Sequence, residues 1–437
     1  MFRDILNELE QWKIHPLRKP LVLKGARQVG KSWAVQEFGK TFSSFVSINF
    51  EKEKDARIFF EGDIRIADLI DRLSLYSGKK IIPGETLLFF DEIQDCENAI
   101  ASLRYFKEEL PDLHVIAAGS LIDFVLEKTG LPVGRVQFLH LFPISFGEYL
   151  IAIGRDDLRQ NILTSEVDPV IHHQILEQLK TYMCIGGMPA VVQAWISYKD
   201  IMLCQEAQDE IINTYRQDFI KYARRQQIEY VTKVFDAIPL QLGRKFKYTN
   251  VDPDMNLQPI KNALSLLEKA GIALPVYHSS GQGVPLGAAK DTKKFKIFFF
   301  DVGLAQRILG LDLKSWVVMK LKIANIGAIA EQLVAQEFMA YSPPKIRQEL
   351  YYWHKESPSS NAEVDFLFVK GGEIVPVEIK SGVRGGLKSM QIFLDTHPAS
   401  KYGLKISENQ FSYHSKIREI PLYGIEAWLK GDSIKKN

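Results

Sequence analysis

The sequence predicts a multidomain α/β protein whose first domain is built on a parallel β-sheet. The chain has 437 residues, which is more than a single hydrophobic core usually holds. Between Leu21 and Leu150, short apolar runs alternate with polar, helix-like stretches, and a glycine-rich loop follows the first run. Apolar strands separated by helical intervals are typical of a parallel sheet that is covered on both faces.

The predicted strands of the first domain, residues 1–150, are nearly continuous apolar runs. They are LVL at 21–23, FVSINF at 45–50, TLLFF at 86–90, HVIAA at 114–118 and VQFLHLF at 136–142. SFGE at 145–148 then indicates a helix start, because Ser145 and Glu148 form the pattern of a capping box. The following residues are mostly helical in pattern, with one break at GGMP (186–189), so we predict a helical lid over 151–225.

Two smaller domains are predicted after the lid. Over 226–315, there are two helical patterns, of which the second ends at Gly271, and apolar segments follow that close with KIFFFDVGLA (296–305). Helices followed by a hairpin are typical of a winged helix, although three-helix modules share this pattern. Over 316–437, a helix at 326–341 precedes three strand-like runs, with PSSN (358–361) and GG (371–372) as hairpin tips, which predicts a small α/β domain.

Composition places the protein among ordinary globular chains and predicts a cytoplasmic location. The formal net charge is +2, so any affinity for nucleic acid would depend on local basic patches. The cysteines are Cys96, Cys184 and Cys204, and none belongs to a CxxC pair, which argues against a disulfide framework or a zinc site. The N-terminal stretch is charged and amphipathic, and the apolar runs have strand length, so we expect neither a signal peptide nor a membrane partner. No feature suggests an organic cofactor.

The segment GARQVGKS, from Gly25 to Ser32, fits the phosphate-binding pattern G-x-x-x-x-G-K-[S/T] without mismatch. Its glycines allow the backbone to turn so that main-chain N–H groups face phosphate oxygens, and the helix that follows presents its positive end. Lys31 is expected to bind the β- and γ-phosphates, and the Ser32 hydroxyl to bind Mg²⁺. The predicted ATP-binding residues of this P-loop are Gly25, Ala26, Arg27, Gln28, Val29, Gly30, Lys31 and Ser32.

An acidic residue at the end of a neighbouring strand should complete the nucleotide site. The run TLLFFDE supplies Asp91 and Glu92. Asp91 is expected to hold Mg²⁺ through water, and Glu92 to orient and deprotonate the attacking water. The alternative interpretation of this pair is a solvated strand end.

The motifs together resemble those of a known family. GARQVGKS, INFE (48–51), LLFFDEIQ and AAGS are similar to the motifs of prokaryotic AAA-superfamily ATPases. LPVGR, PISFGEYL, GG-x-P, KIxFFDxGLA and EVDF…VEIKSG resemble the group whose ATPase domain precedes a C-terminal domain of unknown function. The resemblance implies that Ser120 contacts the γ-phosphate as a sensor and that Arg135 is an arginine finger or a second sensor. Arg135 acting in trans would imply a homo-oligomer, a role in cis fits equally well, and the alternative is a surface loop arginine.

The C-terminal strands carry a second candidate site. Glu378 and Lys380 are two residues apart on a predicted strand and so share a face, and Asp365 joins them if AEVDF pairs alongside. Carboxylate oxygens of this kind bind Mg²⁺, and a lysine beside them can stabilise a phosphorane. The arrangement resembles the PD-(D/E)XK nuclease superfamily, which implies Glu331 as a further metal ligand, with Gln391 as a weaker candidate. The alternative is a cross-strand ion pair, and Val364 replaces the proline of the family motif.

The sequence therefore predicts an ATPase that uses ATP and Mg²⁺ and couples nucleotide state to a winged-helix domain and a nuclease-like domain. DNA is a candidate partner, because the lysine-rich stretches GRKFKY (243–248) and DTKKFK (291–296) fall within the predicted winged helix, where they would contact a phosphate backbone. The alternative interpretation of these stretches is a solvated basic face. Two alternatives remain open at this point. One is a signalling switch or scaffold with an inactive C-terminal domain, and the other is a metal-dependent nuclease that the ATPase gates.

Overall fold

The computed structural model describes residues 1–62, 65–120, 122, 134–222, 225–313, 326–355, 361–380 and 386–431. Outside these ranges lie part of the PSSN tip, the first three residues of LPVGR, the last residues of VEIKSG and the C-terminal tail. The chain divides into two compact units. Unit 1 comprises Met1–Pro143, Lys269–Gly271 and Pro343–Arg347, and unit 2 comprises Ile144–Glu268, Ile272–Ser342 and Gln348–Asn437.

Unit 1 is built on a five-stranded sheet in which all strands are parallel, as predicted. Its strands are β1 (Leu21–Lys24), β2 (Ser44–Asn49), β3 (Thr86–Asp91), β4 (His114–Ala118) and β5 (Gln137–His140). The order is β2-β3-β4-β1-β5, so β4 lies between β1 and β3. The expectation that Asp91 ends a strand neighbouring β1 is therefore wrong, because β4 separates β3 from β1.

The sheet of unit 1 is buried on both faces, which explains its uninterrupted apolar strands. Every residue of β3 is buried, and so is every residue of β4. One side of the sheet packs an aromatic cluster in which Phe50, Phe60 and Phe90 lie within 5.4 to 5.7 Å of one another, centroid to centroid. The α-helices among the described residues of unit 1 are α1 (Ile5–Lys13), α2 (Lys31–Gly39), α3 (Ile66–Ser77) and α4 (Glu97–Glu109).

Unit 2 begins with helices, as the sequence predicts. They are α5 (Phe146–Ala152), α6 (Asp156–Thr164), α7 (Pro169–Ile185), α8 (Pro189–Tyr198), α9 (Ile201–Tyr222) and α10 (Arg225–Leu240). The capping box at the start of α5 is present, since Glu148 N donates to Ser145 Oγ and Ser145 N donates to Glu148 Oε2. At GGMP, α7 ends and α8 begins on Pro189. Proline suits this first helical position, because an N–H there would have no acceptor within the helix.

A single eight-stranded sheet runs through the rest of unit 2, in the order β12-β13-β11-β10-β9-β8-β6-β7. Its strands are β6 (Ala273–Ser279), β7 (Lys290–Phe299), β8 (Leu350–His354), β9 (Glu363–Lys370), β10 (Glu373–Ile379), β11 (Gly403–Ser407), β12 (Ser412–His414) and β13 (Ile417–Pro421). In the parts of unit 2 that the structure describes, the sheet is accompanied by α11 (Leu257–Lys269), α12 (Val302–Ile308), α13 (Ile326–Tyr341), α14 (Lys388–Thr396) and α15 (Ile425–Lys430).

The β6–β7 hairpin of the predicted winged helix and the predicted C-terminal strands lie in this one sheet. β6 pairs antiparallel with β7 on one side and parallel with β8 on the other. The predicted GG turn joins β9 to β10, with Gly371 and Gly372 at φ of 59° and 79°, a conformation that favours glycine. The winged-helix and nuclease-like assignments themselves stay predictions.

Among the helices that the structure describes, none combines the length and apolar character needed to cross a membrane.

Candidate functional site

The P-loop has a backbone that its glycines make possible. Gly25 directly follows β1 with a φ of 153°, and a Cβ atom on it would lie 2.2 Å from the carbonyl oxygen of Leu141. Gly30 has a φ of 97° and immediately precedes α2, while Gln28 is also left-handed at 63°. The first turn of α2 therefore directs its free N–H groups into the loop, which is the usual arrangement for an anion.

An arginine from the start of the chain supports this loop. Arg3 is buried, and its Nη1 donates to the carbonyl oxygen of Val29 over 2.8 Å. Its Nη2 donates to the carbonyl oxygen of Phe142 over 2.6 Å. No sequence pattern predicts this contact, because Arg3 lies outside any motif and its partners are far away along the chain.

Lys31 lies inside the loop, with 7% of its surface exposed. Its ammonium donates to the carbonyl oxygens of Gly25 and Ala26, over 2.9 and 2.8 Å. Burial lowers the pKa of Lys31 to about 8, although the carboxylates of Glu92 and Asp91 act in the opposite direction. The lysine and the two acidic residues that the sequence paired with it are thus close enough to interact.

Ser32 and Asp91 form the candidate Mg²⁺ site. Ser32 Oγ donates to Asp91 Oδ1 over 2.9 Å, and the other carboxylate oxygen, Oδ2, accepts from Asn49 Nδ2 over 3.0 Å. A hydroxyl and a carboxylate held side by side are the hard oxygen donors that Mg²⁺ prefers, so the residues present fit this ion. Asn49 is a positioning residue that the sequence analysis missed, although INFE was noted as a family motif.

Glu92 has a left-handed backbone conformation, and its carboxylate accepts a hydrogen bond from Gln94. Its φ of 49° is left-handed, and its own N–H donates to Asp91 Oδ1 over 3.2 Å. Gln94 Nε2 donates to Glu92 Oε2 over 2.6 Å, while Gln94 Oε1 is buried and has no hydrogen-bonding partner. Burial raises the pKa of Glu92, and Gln94 and Lys31 oppose that effect. A carboxylate with a raised pKa is better suited to accept a proton near neutral pH.

The other predicted nucleotide-site residues lie in different places. Ser120 lines a cavity together with Gly25 and Ala26, as its position after β4 requires. Arg27 lies 3.9 Å from Glu51 in an ion pair. Arg135 is half exposed and pairs with Glu108 over 2.7 Å. The structure thus brings Lys31, Ser32, Asp91 and Glu92 together, whereas the contact that it shows for Arg135 is with α4.

We expect Asn49→Ala to weaken the use of Mg²⁺ rather than the binding of nucleotide. The substitution frees one oxygen of Asp91, and loss of such a supporting contact typically costs about 10- to 100-fold in metal affinity or activity. The measurement is ATP turnover as a function of Mg²⁺ concentration, with Asn98→Ala, an exposed position on α4, as the control. An unchanged Mg²⁺ dependence would remove Asn49 from the site.

In the C-terminal cluster the predicted residues do come close together. Asp365 on β9 accepts a hydrogen bond at Oδ2 from the N–H of Ile379 on β10, over 2.7 Å. Glu378 Oε1 lies 2.5 Å from the Lys380 ammonium. The other oxygen, Glu378 Oε2, is buried and has no hydrogen-bonding partner.

Glu331, the predicted fourth member on α13, contacts a lysine that the sequence analysis had assigned to the surface. Lys296 on β7 is 1% exposed, and its ammonium lies 3.3 Å from Glu331 Oε2 and 2.7 Å from Glu363 Oε1. The expectation that DTKKFK is a solvated basic stretch is therefore wrong at Lys296. Burial would lower the pKa of Lys296, but Glu331, Glu363 and Asp365 outweigh it and raise the pKa.

Two carboxyl groups near Lys296 have raised pKa values. Burial raises the pKa of Glu331 to about 8 and that of Asp365 to about 6, even with Lys296 acting against the shift. Over the described ranges of the chain, no three acidic, histidine or cysteine side chains form a group that could hold a metal ion. Glu331 and Asp365 lie near the ammonium of Lys296, and Glu378 lies beside the ammonium of Lys380.

Several family motifs meet in a buried hydrogen-bonding network of unit 2 instead of at a reactive site. Asp301 in KIFFFDVGLA accepts from the N–H of Gly187 in GGMP over 2.7 Å. Glu337 on α13 accepts from the N–H of Phe146 in PISFGEYL, and Tyr341 OH accepts from the N–H of Gly147. These side chains satisfy backbone donors at the starts and ends of helices, which accounts for the motifs structurally.

This network should make the stability of unit 2 depend on pH. Burial raises the pKa of Glu337 from 4.5 to about 8, so the folded state holds this proton more tightly than the unfolded state does. The contribution of this proton to the free energy of unfolding is fully present below about pH 4.5. It is lost as pH rises towards 8, by up to about 1.4 kcal/mol per pH unit. We expect Glu337→Gln to flatten this fall in urea unfolding, whereas Glu177→Gln on the surface should not. Equal slopes for Glu337→Gln and the parent protein would contradict the assignment.

Comparison with family models divides the chain into three parts. Residues 17–150 match the AAA domain. Residues 176–315 match a domain of unknown function (DUF8612), and residues 326–425 match another (DUF4143). The first match supports a P-loop ATPase of the AAA type and, with it, ATP binding. No protein in the search of curated proteins matches this chain.

The chain also shows a weak likeness to solved structures. The Walker-type ATPase PABY2304 of Pyrococcus abyssi has 15% identity and a TM-score of 0.43, with 70% of this chain and 94% of that chain covered. The Orc1 protein of Aeropyrum pernix in complex with DNA has 11% identity and a TM-score of 0.28, with 72% and 92% covered. Drosophila ORC bound to DNA has 13% identity and a TM-score of 0.27, with 70% and 95% covered. At these scores the likeness supports no statement about function.

Proposed function

We propose that unit 1 binds ATP with Mg²⁺ and hydrolyses it to ADP and phosphate. The observation that carries this proposal is the convergence of Lys31, Ser32, Asp91 and Glu92 at the carboxyl edge of a parallel sheet. Ligands of open α/β sheets bind at this edge. The AAA domain match over the same residues supports the same assignment.

Each residue has a role that follows from its geometry. When a triphosphate enters, the Lys31 ammonium exchanges the carbonyl oxygens of Gly25 and Ala26 for phosphate oxygens. Ser32 and Asp91 would hold Mg²⁺, which neutralises phosphate charge. Glu92 accepts a proton from a water molecule while the water oxygen attacks the γ-phosphorus. ADP leaves with the electron pair of the broken P–O bond.

Two further residues keep the roles that were predicted for them. Ser120 lines the cavity beside Gly25, where its hydroxyl would donate to the γ-phosphate. Arg135 would leave Glu108 to contact the transferred phosphoryl group, in cis or from a neighbouring copy. The surface ion pair with Glu108 is half exposed and therefore weak, so its loss costs little.

We further propose that nucleotide state regulates unit 2, and DNA remains a candidate partner. A second candidate function is an ATP-dependent switch or scaffold whose C-terminal domain cuts nothing. The ammonium of Lys296 among the predicted metal ligands favours this second candidate.

Calorimetry with ATP in the presence of Mg²⁺ tests the proposed function. Heat of association followed by phosphate release would support it, and the absence of both in folded protein would reject it. Incubation with single- and double-stranded DNA and Mg²⁺ or Mn²⁺, with and without ATP, separates the candidates for unit 2. Cleavage that disappears in Asp365→Ala would favour the nuclease, and binding without cleavage or no binding would favour the switch.

A further inference from the structure

The acidic cluster of unit 2 contains its own cation. The cluster comprises Glu331 on α13, Glu363 and Asp365 on β9, and Glu378 on β10. Lys296 enters from β7 and is 1% exposed, and its ammonium forms ion pairs with Glu363 at 2.7 Å and Glu331 at 3.3 Å. The ring of Tyr352 on β8 has its centroid 5.5 Å from the same ammonium and adds a favourable cation–π contact.

Two lysines compensate the negative charges of the cluster. Lys380 pairs with Glu378, which leaves Lys296 as the cation beside Glu331 and Glu363 and near Asp365. Burying a lysine is costly, because its charge loses its hydration. A buried lysine is therefore stable in its charged form only where carboxylates compensate its charge. Here Glu331 and Glu363 do so.

We propose that the Lys296 ammonium supplies to this cluster the positive charge that a divalent cation would otherwise supply. A metal ion approaching these carboxylates would meet the field of an ammonium that is already hydrogen-bonded to them. The C-terminal domain then needs no metal ion to fold and provides no metal-dependent cleavage of a phosphodiester. This inference concerns unit 2 alone and does not depend on whether unit 1 hydrolyses ATP.

The arrangement also has a structural consequence within unit 2. Lys296 belongs to the β6–β7 hairpin, whereas its partners belong to α13 and β9, which follow later in the chain. The ion cluster thus fastens the hairpin to the C-terminal strands at the level of side chains, in addition to the backbone pairing of β6 with β8. The hairpin and the C-terminal strands therefore share one sheet and one ion cluster.

The test is Mn²⁺ binding to full-length protein without nucleotide, measured by electron paramagnetic resonance of the free ion. The variants are Lys296→Met, which removes the ammonium but keeps most of the side-chain volume, and Lys293→Met, an exposed control on the same strand. We expect Lys296→Met to gain one Mn²⁺ site, which Asp365→Asn in the same chain removes again. Lys293→Met and the parent protein should show no such site.

Thermal unfolding provides a second readout. Lys296→Met should unfold at a lower temperature than the parent, and Mn²⁺ should restore part of the loss in this variant but not in the parent. Should Lys296→Met fail to fold, the single variant Asp365→Asn decides, because its Mn²⁺ isotherm should equal that of the parent. The proposal is overturned if the parent has an Mn²⁺ site that Asp365→Asn abolishes, or if folded Lys296→Met gains none.

Discussion

Lys31→Ala is expected to weaken ATP binding by up to about 100-fold and to reduce turnover to background. The ammonium lies inside the P-loop, where a hydrogen bond to a charged group is worth up to about 3 kcal/mol, or about 100-fold in affinity. Titration calorimetry with ATP and Mg²⁺ measures the affinity, and phosphate release measures turnover.

The fold should survive this substitution, because Gly25 and Gly30 set the shape of the loop and Arg3 supports it. Lys40→Ala is the matched control, since Lys40 follows α2 directly and is 71% exposed in its pair with Glu37. Thermal unfolding should show similar stability for the two variants. Tight ATP binding by folded Lys31→Ala would overturn the nucleotide site altogether.

Glu92→Gln should retain ATP affinity and lose hydrolysis. An amide keeps the shape of the side chain and its contact with Gln94, but it cannot accept a proton from water. General-base catalysis contributes about 100- to 10,000-fold, so a loss of phosphate release in this range is expected. ATP affinity should stay within about threefold of the parent, because Glu92 repels phosphate charge and makes no attractive contact with it.

Glu109→Gln serves as the control for Glu92→Gln, since this residue is exposed at the end of α4. Single-turnover phosphate release separates the chemical step from product release. Turnover equal to that of the parent would exclude Glu92 as the base. In that case the half-buried pair of Glu92 and Gln94 would be a structural feature of the turn after β3.

The sequence predicted those parts of the site that depend on local pattern. The P-loop is a contiguous motif, and buried parallel strands are recognisable because both of their faces are apolar, as in TLLFF and HVIAA. The helix starts at Ser145 and Pro189 follow from capping chemistry within a few residues. Predictions of this kind require no knowledge of distant contacts.

The missed residues act on partners that only the fold brings near. Asn49, Arg3 and Gln94 support functional groups through hydrogen bonds to partners that their sequence positions do not reveal. Asn49 and Gln94 lie within the motifs INFE and LLFFDEIQ, but the motifs do not show which group each side chain contacts. Lys296 was misjudged for the same reason. It lies among lysines in DTKKFK, and the alternation of a strand places it inside only once its sheet neighbours are known.

The pairing of β6 with β8 determines where the chain can be divided. The matches to the two domains of unknown function end at residue 315 and begin at residue 326, which suggests a cut between them. A fragment that ended there would keep the β6–β7 hairpin but lose β8, and one edge of β6 would expose unpaired N–H and C=O groups. Such an edge recruits strands from other molecules, so both halves are better expressed as one piece.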